Sequence, residues 1–288
     1  MNVPRRLHGV GDLSYDDIQA IVARAGELAA GAAPARRSGV VGLAFFETSL
    51  RTRVGFEVAA VRIGLHPVFV DGRRSSDVSM PESLSDTIRV LAGYVDTLIV
   101  RSPRPSAPLA DAVGAGAAWL NAGDGGADAE HPSQALIDVF AIEHLRGPIS
   151  ALRVANCGDL RMRAARSLLR LLERLGAAEI VAVTDPSLQD AAGEHLALPA
   201  RNPHDLADVD VLYAAGIPHG AATESVRSAL RVDRSMLAAL RHDAIVLSPM
   251  PIIDEVAKSA RGDARMRYLE QSDAALNVRI ALLEHLAQ

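Results

Sequence analysis

Short apolar runs bounded by polar residues recur along the chain at 40–46, 67–70, 95–100, 152–157, 180–184, 209–214 and 244–247. A strand with one face in water alternates, whereas these runs are continuous, so they predict strands buried on both faces of a parallel sheet. Between them lie segments with helical apolar spacing at 14–30, 52–63, 83–93, 131–145, 161–175 and 254–259. Ser14, with Asp17 three residues on, supplies a cap for the first of these. Gly64 and Gly176 stand where a left-handed residue closes a helix. Pro, Ser and Gly gather at 102–108 and 123–126, which reads as loop.

Strand and helix alternate, so the pattern predicts an α/β chain of doubly wound parallel sheets. A length of 288 residues suits two such domains, each with its own core. The helix over 131–145, followed by Gly147-Pro148, is the segment able to join two sheets. The boundary falls within it near Asp138, giving domains 1–137 and 138–273. In the last segment, 274–288, Leu276, Ile280, Leu283 and Leu286 form one stripe and no strand follows. That helix must dock on something already built and is expected to return to the first domain.

An apolar fraction of 49% with only 3% aromatic residues makes the core aliphatic. A formal charge of −5 offers no basic field for nucleic acid or an anionic membrane. Of the 30 basic residues 29 are Arg, leaving Lys258 as the lone lysine. The single Cys157 excludes an internal disulfide, and residues 1–11 lack the apolar run of a signal peptide. A cytoplasmic protein is the expectation.

Ser49-Leu50-Arg51-Thr52-Arg53 falls at a strand-to-helix junction, where free backbone amides and the positive helix end favour an anion. The hydroxyls add donors, and Arg51 adds a planar fork suited to phosphate oxygens. The competing reading is a capped helix followed by two surface arginines. Likewise, His131 and Gln134 either bind a ligand or cap the helix that Pro132 opens.

The segment resembles the catalytic chains of the aspartate carbamoyltransferase family. Their motif Phe-Phe-Glu-x-Ser-Thr-Arg-Thr-Arg is matched by Phe45-Phe46-Glu47-Thr48-Ser49-Leu50-Arg51-Thr52-Arg53. The likeness continues through Glu57, Gly64, 82–87, 94–96, Arg101, 121–125, 131–138 and 158–160. It implies a carbamoyltransferase fold, with Ser49, Arg51, Thr52, Arg101, His131 and Gln134 holding carbamoyl phosphate. Catalysis would fall to Arg51, Thr52, Arg101 and His131, which stabilise the tetrahedral intermediate formed when an amine attacks. Neither metal nor cofactor is implied. The assembly implied is a homotrimer sharing sites through the loop at 71–81, with a larger assembly that includes a homologous or regulatory chain also open.

The match breaks at telling places. Leu50 replaces a family Thr, a loss of one donor worth about 1.5–3 kcal/mol at a charged group. Within the cross-subunit loop, Met80 stands where the family has a lysine, and Arg73 or Arg74 would have to substitute. Gly216 and Pro218 replace the Arg and Gln that grip the aspartate side chain, and the turn Ser248-Pro249-Met250-Pro251-Ile252 loses its flanking polar residues. Arg163 matches the arginine that holds the α-carboxylate. The acceptor site therefore comprises Arg163, Gly216 and Met250, and the expected acceptor is an amine other than aspartate. Two alternatives remain: a catalytically silent paralogue with a structural or regulatory role, and a slow aspartate enzyme rescued by Arg73 or Arg74. A dinucleotide fold is disfavoured, because Gly158 stands alone where that fingerprint needs three glycines.

Overall fold

The computed structural model describes residues 6–71, 83–114, 116–189 and 198–286. In chain order these form β1 (Arg6–Leu7), α1 (Tyr15–Ala29), β2 (Val40–Phe45), α2 (Leu50–Ile63), β3 (His66–Asp71), α3 (Leu84–Ala92), β4 (Thr97–Arg101), α4 (Ser106–Asp111), β5 (Ala118–Asn121) and α5 (Pro132–Arg146). There follow β6 (Arg153–Cys157), α6 (Arg163–Arg174), β7 (Glu179–Val183), β8 (Val211–Ala214), α7 (Glu224–Ala229), α8 (Arg234–Ala239), β9 (Ile245–Leu247) and α9 (Tyr268–Leu286).

The chain divides into two compact units, one running to Leu136 and resuming at Ala274, the other spanning Ile137–Asp273. The first holds a parallel sheet in the order β1-β5-β4-β2-β3, the second a parallel sheet in the order β7-β6-β8-β9. The α/β, doubly wound architecture expected from the apolar runs is thus the one observed. Every residue of β4, β5, β8 and β9 is buried, as continuous apolar strands require.

Local signals act as their chemistry dictates. Ser14 and Asp17 form a reciprocal capping box on α1, with Asp17 N donating to Ser14 Oγ at 3.1 Å and Ser14 N to Asp17 Oδ2 at 2.9 Å. Gly64 closes α2 in the left-handed region at φ 91°, and Leu65 N reaches back to Ala60 O at 2.9 Å.

Four expectations need correction. Segment 254–259 is no helix: Val256 bridges Val232, and the Glu255 carboxylate takes the amides of Ile253 and Asp254, leaving the chain turned and extended. Part of the loop read at 102–108 is helical, since α4 starts at Ser106, whose amide is taken by Asp124 Oδ2 at 2.7 Å. Strands β1 and β5 lay hidden because a two-residue strand and the run 117–120, rich in Ala, carry little strand pattern. Finally, α9 buries far more than one stripe, with Val278, Arg279, Ile280, Ala281, Leu282, Leu283 and Glu284 all enclosed.

The carboxylate of Glu284 meets the first unit directly. It accepts from Arg24 Nε at 2.6 Å and from the Ala35 amide at 2.6 Å. Replacing it takes the acceptor from Arg24 Nε and from the Ala35 amide, while Arg24 keeps Glu27 at 2.7 Å and Ala33 O at 2.8 Å. Glu284→Ala is expected to lower stability by about 1–3 kcal/mol. The measurement is urea unfolding followed through Trp119, the sole tryptophan, which is fully buried in the same unit.

Candidate functional site

Loops leaving the carboxyl ends of parallel strands gather on one edge of the sheet, where helix starts face a ligand. Register places Phe45 beside Arg101 and Val100 beside Asn121, so the loops after β2, β4 and β5 leave at one level. After β2 the chain turns at once into α2. Ser49 stands at the cap position with an extended backbone, φ −156°, yet its side chain makes no capping hydrogen bond. The simple capping reading of Ser49 therefore fails, and its hydroxyl is available to something else. Thr52 is buried in the first turn. Arg51 is exposed, and among the described residues no hydrogen bond or ion pair engages its guanidinium. Arg53 instead packs over the Phe69 ring at 4.4 Å, a role in packing rather than in ligand contact.

Arg101 ends β4 with its guanidinium buried against the next loop. Nη1 donates to Ala122 O at 3.0 Å, and Nη2 pairs with Glu47 Oε1 at 3.2 Å. A Cβ at Gly123 would lie 2.5 Å from Arg101 Nη1 and 3.3 Å from Cδ2 of His131. Gly123 has φ 109°, so both space and backbone exclude other residues there. Arg101 and His131 are thus brought together across one glycine. The His131 ring is oriented by Ser133, whose Oγ lies 3.3 Å from Nδ1, and Gln134 follows one turn into α5. Two carboxylates hold the loop in shape: Asp124 accepts the amides of Ser106 and Glu130, and Glu130 accepts that of Val10 at 2.8 Å.

The second sheet uses the same edge. Gly158, at φ 111°, presses its backbone against the Ala215 carbonyl oxygen, which leaves no room for a side chain. Arg163 opens α6 after β6, Gly216 follows β8, and Met250 follows β9 at φ 49°. Gly216 and the turn holding Met250 converge on Glu255. A Cβ at Gly216 would lie 4.0 Å from the Glu255 carboxyl, which also accepts from Ser248 Oγ at 3.4 Å and from the Ile253 amide at 2.9 Å. Arg227 ties the same loops together through Ile217 O at 2.7 Å, Pro218 O at 3.0 Å and the Asp254 carboxylate.

Behind that turn runs a buried polar chain. Ser248 N donates to Gln271 Oε1 at 3.0 Å, Gln271 Nε2 to Asp138 Oδ1 at 2.6 Å, and Tyr213 Oη to Asp138 Oδ2 at 2.8 Å. Desolvation, reinforced by the Asp138 charge, pushes the Tyr213 phenol well above its ordinary range, so it stays a donor. Sequence reasoning singled out none of Glu47, Gly123, Glu255, Gln271 and Tyr213 as site residues. Of these, Gly123 carried a local signal, as the first residue of the glycine-rich run 123–126. Arg73, Arg74 and Met80 lie outside the described residues. Among the described residues no group of His, Cys, Asp and Glu is placed to hold a metal ion, and no helix is long and apolar enough to cross a membrane.

Comparison with known proteins agrees with this fold. Residues 5–144 match the family model for the carbamoyl-P binding domain of aspartate/ornithine carbamoyltransferase. The chain is 31% identical to the aspartate carbamoyltransferase catalytic subunit of Archaeoglobus fulgidus, covering 97% of this chain and 98% of that one. It is 34% identical to that of Halorubrum lacusprofundi, over 96% and 93%. Among solved structures, the catalytic subunit of M. Jannaschii aspartate transcarbamoylase superposes with a TM-score of 0.84 at 27% identity, covering 98% and 97%. The Trypanosoma cruzi aspartate transcarbamoylase in complex with carbamoyl phosphate and aspartate gives 0.83 at 27%, covering 97% and 94%.

Gly123→Ala tests whether one missing side chain assembles the first edge. The added methyl forces the Arg101 guanidinium away from Ala122 O and strains a left-handed backbone, together worth about 2–3 kcal/mol. Thermal unfolding is expected to show that loss, and the His131 ring resonances are expected to move in the folded variant.

Proposed function

This chain belongs to the aspartate/ornithine carbamoyltransferase family, and we propose that it transfers the carbamoyl group of carbamoyl phosphate to the amino group of an amino acid. The observation that carries the proposal is the pairing of Arg101 with His131 across Gly123, beside the uncapped Ser49 and the start of α2.

In this reading the phosphate sits at the amino end of α2, where Ser49, Arg51 and Thr52 offer hydroxyls, amides and a guanidinium. Arg101, His131 and Gln134 take the carbamoyl end. The Glu47 ion pair fixes the Arg101 fork, so its donors are oriented before substrate arrives. In the tautomer in which the Ser133 hydroxyl donates to His131 Nδ1, the ring proton sits on Nε2 and serves as a further donor. The amine nitrogen attacks the carbamoyl carbon, the carbonyl oxygen gains negative charge, and the C–O bond to phosphate then breaks as the nitrogen loses a proton. Thr52, Arg101 and His131 stabilise that oxygen; removal of one such donor lowers kcat by about 10²–10³-fold in comparable sites. Arg163 holds the acceptor α-carboxylate, while Gly216 and Met250 border its side chain.

The relatives bear the name aspartate carbamoyltransferase, which gives no support to an acceptor other than aspartate and leans toward aspartate itself. One observation favours a second reading. Where the resemblance led one to expect an arginine, Gly216 faces the buried Glu255 carboxyl. A second acceptor carboxylate placed there would meet like charge, whereas a neutral or cationic side chain would not. Association into a trimer is part of the proposal. It is supported by an exposed apolar stripe on α2, Leu50, Val54, Val58 and Val61, next to exposed Val68 and Phe69 on the edge strand β3.

The test is turnover by the purified chain with carbamoyl phosphate and a panel of amino acids, read as phosphate release matched by N-carbamoyl product. Turnover with aspartate supports the first reading, and turnover confined to acceptors with one carboxylate supports the second. Absence of turnover with every acceptor overturns the proposal in favour of a silent paralogue.

A further inference from the structure

Helix α9 carries a charge in a place that helices otherwise fill with apolar residues. Arg279 is only 6% exposed, flanked by the buried Val278, Ile280, Leu282 and Leu283. Its Nε is sealed from solvent without a partner, and among the described residues no hydrogen bond or ion pair meets the guanidinium. Burial, with a smaller push from the positive Arg51, lowers its pKa to about 10, so the group is still charged at neutral pH. A buried cation without a counter-ion is strongly destabilising, and folded chains seldom keep one without use.

The position of the group suggests that use. Its Cζ would lie 2.8 Å from a Cβ at Gly55, and it stands 5.5 Å from the centre of the Phe56 ring. Gly55 is one turn beyond Arg51, so the two occupy neighbouring places on one face of α2. Glycine in the middle of a helix is itself destabilising relative to alanine. Here it leaves the volume that the guanidinium fills.

We propose that Arg279 is a second cation of the donor site, held beneath the first turns of α2 so that its charge acts with that of Arg51 on the phosphate of the bound donor. The inference rests on reading residues 49–52 as a phosphate site. In the free chain two guanidinium groups repel across one helix face. A phosphate dianion at the start of α2 relieves that repulsion and gives the buried charge a counter-ion that the described residues do not supply. Arg279 is thus a positioning residue: it acts through the field at Arg51 and the ligand and takes no part in bond making.

The experiment compares the wild-type chain with Arg279→Met, which keeps volume and removes charge, using inorganic phosphate as the probe and calorimetry and thermal unfolding as readouts. The expected signature has opposite signs, with phosphate affinity falling about tenfold at low ionic strength while the melting temperature holds or rises. Arg279→Gln carries the same expectation and serves where the Met variant gives no folded protein. Unchanged phosphate affinity in a folded variant overturns the assignment of Arg279 alone. Loss of stability together with affinity overturns it in favour of a packing role against Phe56. Failure of the wild-type chain itself to bind phosphate removes the donor-site reading and this inference with it.

Discussion

A side chain at Gly123 would collide with the Arg101 guanidinium and crowd the His131 ring, and the first unit is arranged around that collision being avoided. Parallel register brings the ends of β2, β4 and β5 to one level, which alone delivers only three loops. What turns them into a site is the close approach of one loop's backbone to the buried cation of another. Asn121 anchors that approach from both sides, accepting the Gly123 amide at 2.8 Å and donating to His8 O at 2.6 Å. Asp124 and Glu130 then fix the path to His131, so three side chains spend their hydrogen bonds on holding backbone, and the ligand-facing groups inherit a rigid frame.

The two units apply one rule to opposite electrostatic ends. At the edge of the first sheet stand Arg51, Arg101, which is paired with Glu47, and, beneath α2, Arg279, a set that suits a phosphate. Around Gly216 in the second unit the nearest charge is the carboxylate of Glu255, held by backbone amides rather than by a cation. The proposed donor is thus argued from groups that are present, and the proposed acceptor from a side chain that is missing. A missing side chain constrains its ligand only weakly, because a hydrophobic or empty pocket rejects a near-isostere far less sharply than a buried polar partner does.

Much of the fold was legible because buried parallel strands leave long apolar runs and because capping chemistry is local: Ser14 with Asp17 and Gly64 acted as written. β5 was not, since its four residues follow an alanine-rich stretch that fits helix equally well. The helix read at 254–259 failed for a non-local reason, the bridge from Val256 to Val232, which no spacing rule records. Site residues divide the same way. Ser49, Arg51 and Thr52 could be proposed from sequence because a hydroxyl-rich strand-to-helix junction carries its own chemistry. Glu255, Gln271 and Tyr213 were not, as each matters through a partner far away in sequence, Gln271 reaching Asp138 across more than a hundred residues. Arg279 stands beside the expected stripe of Leu276, Ile280, Leu283 and Leu286 and carried no signal of its own, because its importance comes from burial of the helix on nearly every side.

The proposed donor site is the carboxyl edge of the first sheet, which would bind carbamoyl phosphate through its phosphate group. Calorimetric titration of carbamoyl phosphate into the purified chain, repeated with inorganic phosphate present, tests it most directly. The expected result is one site per chain, displaced competitively by phosphate and weakened as ionic strength rises. Absence of binding, or binding that phosphate leaves untouched, would contradict it.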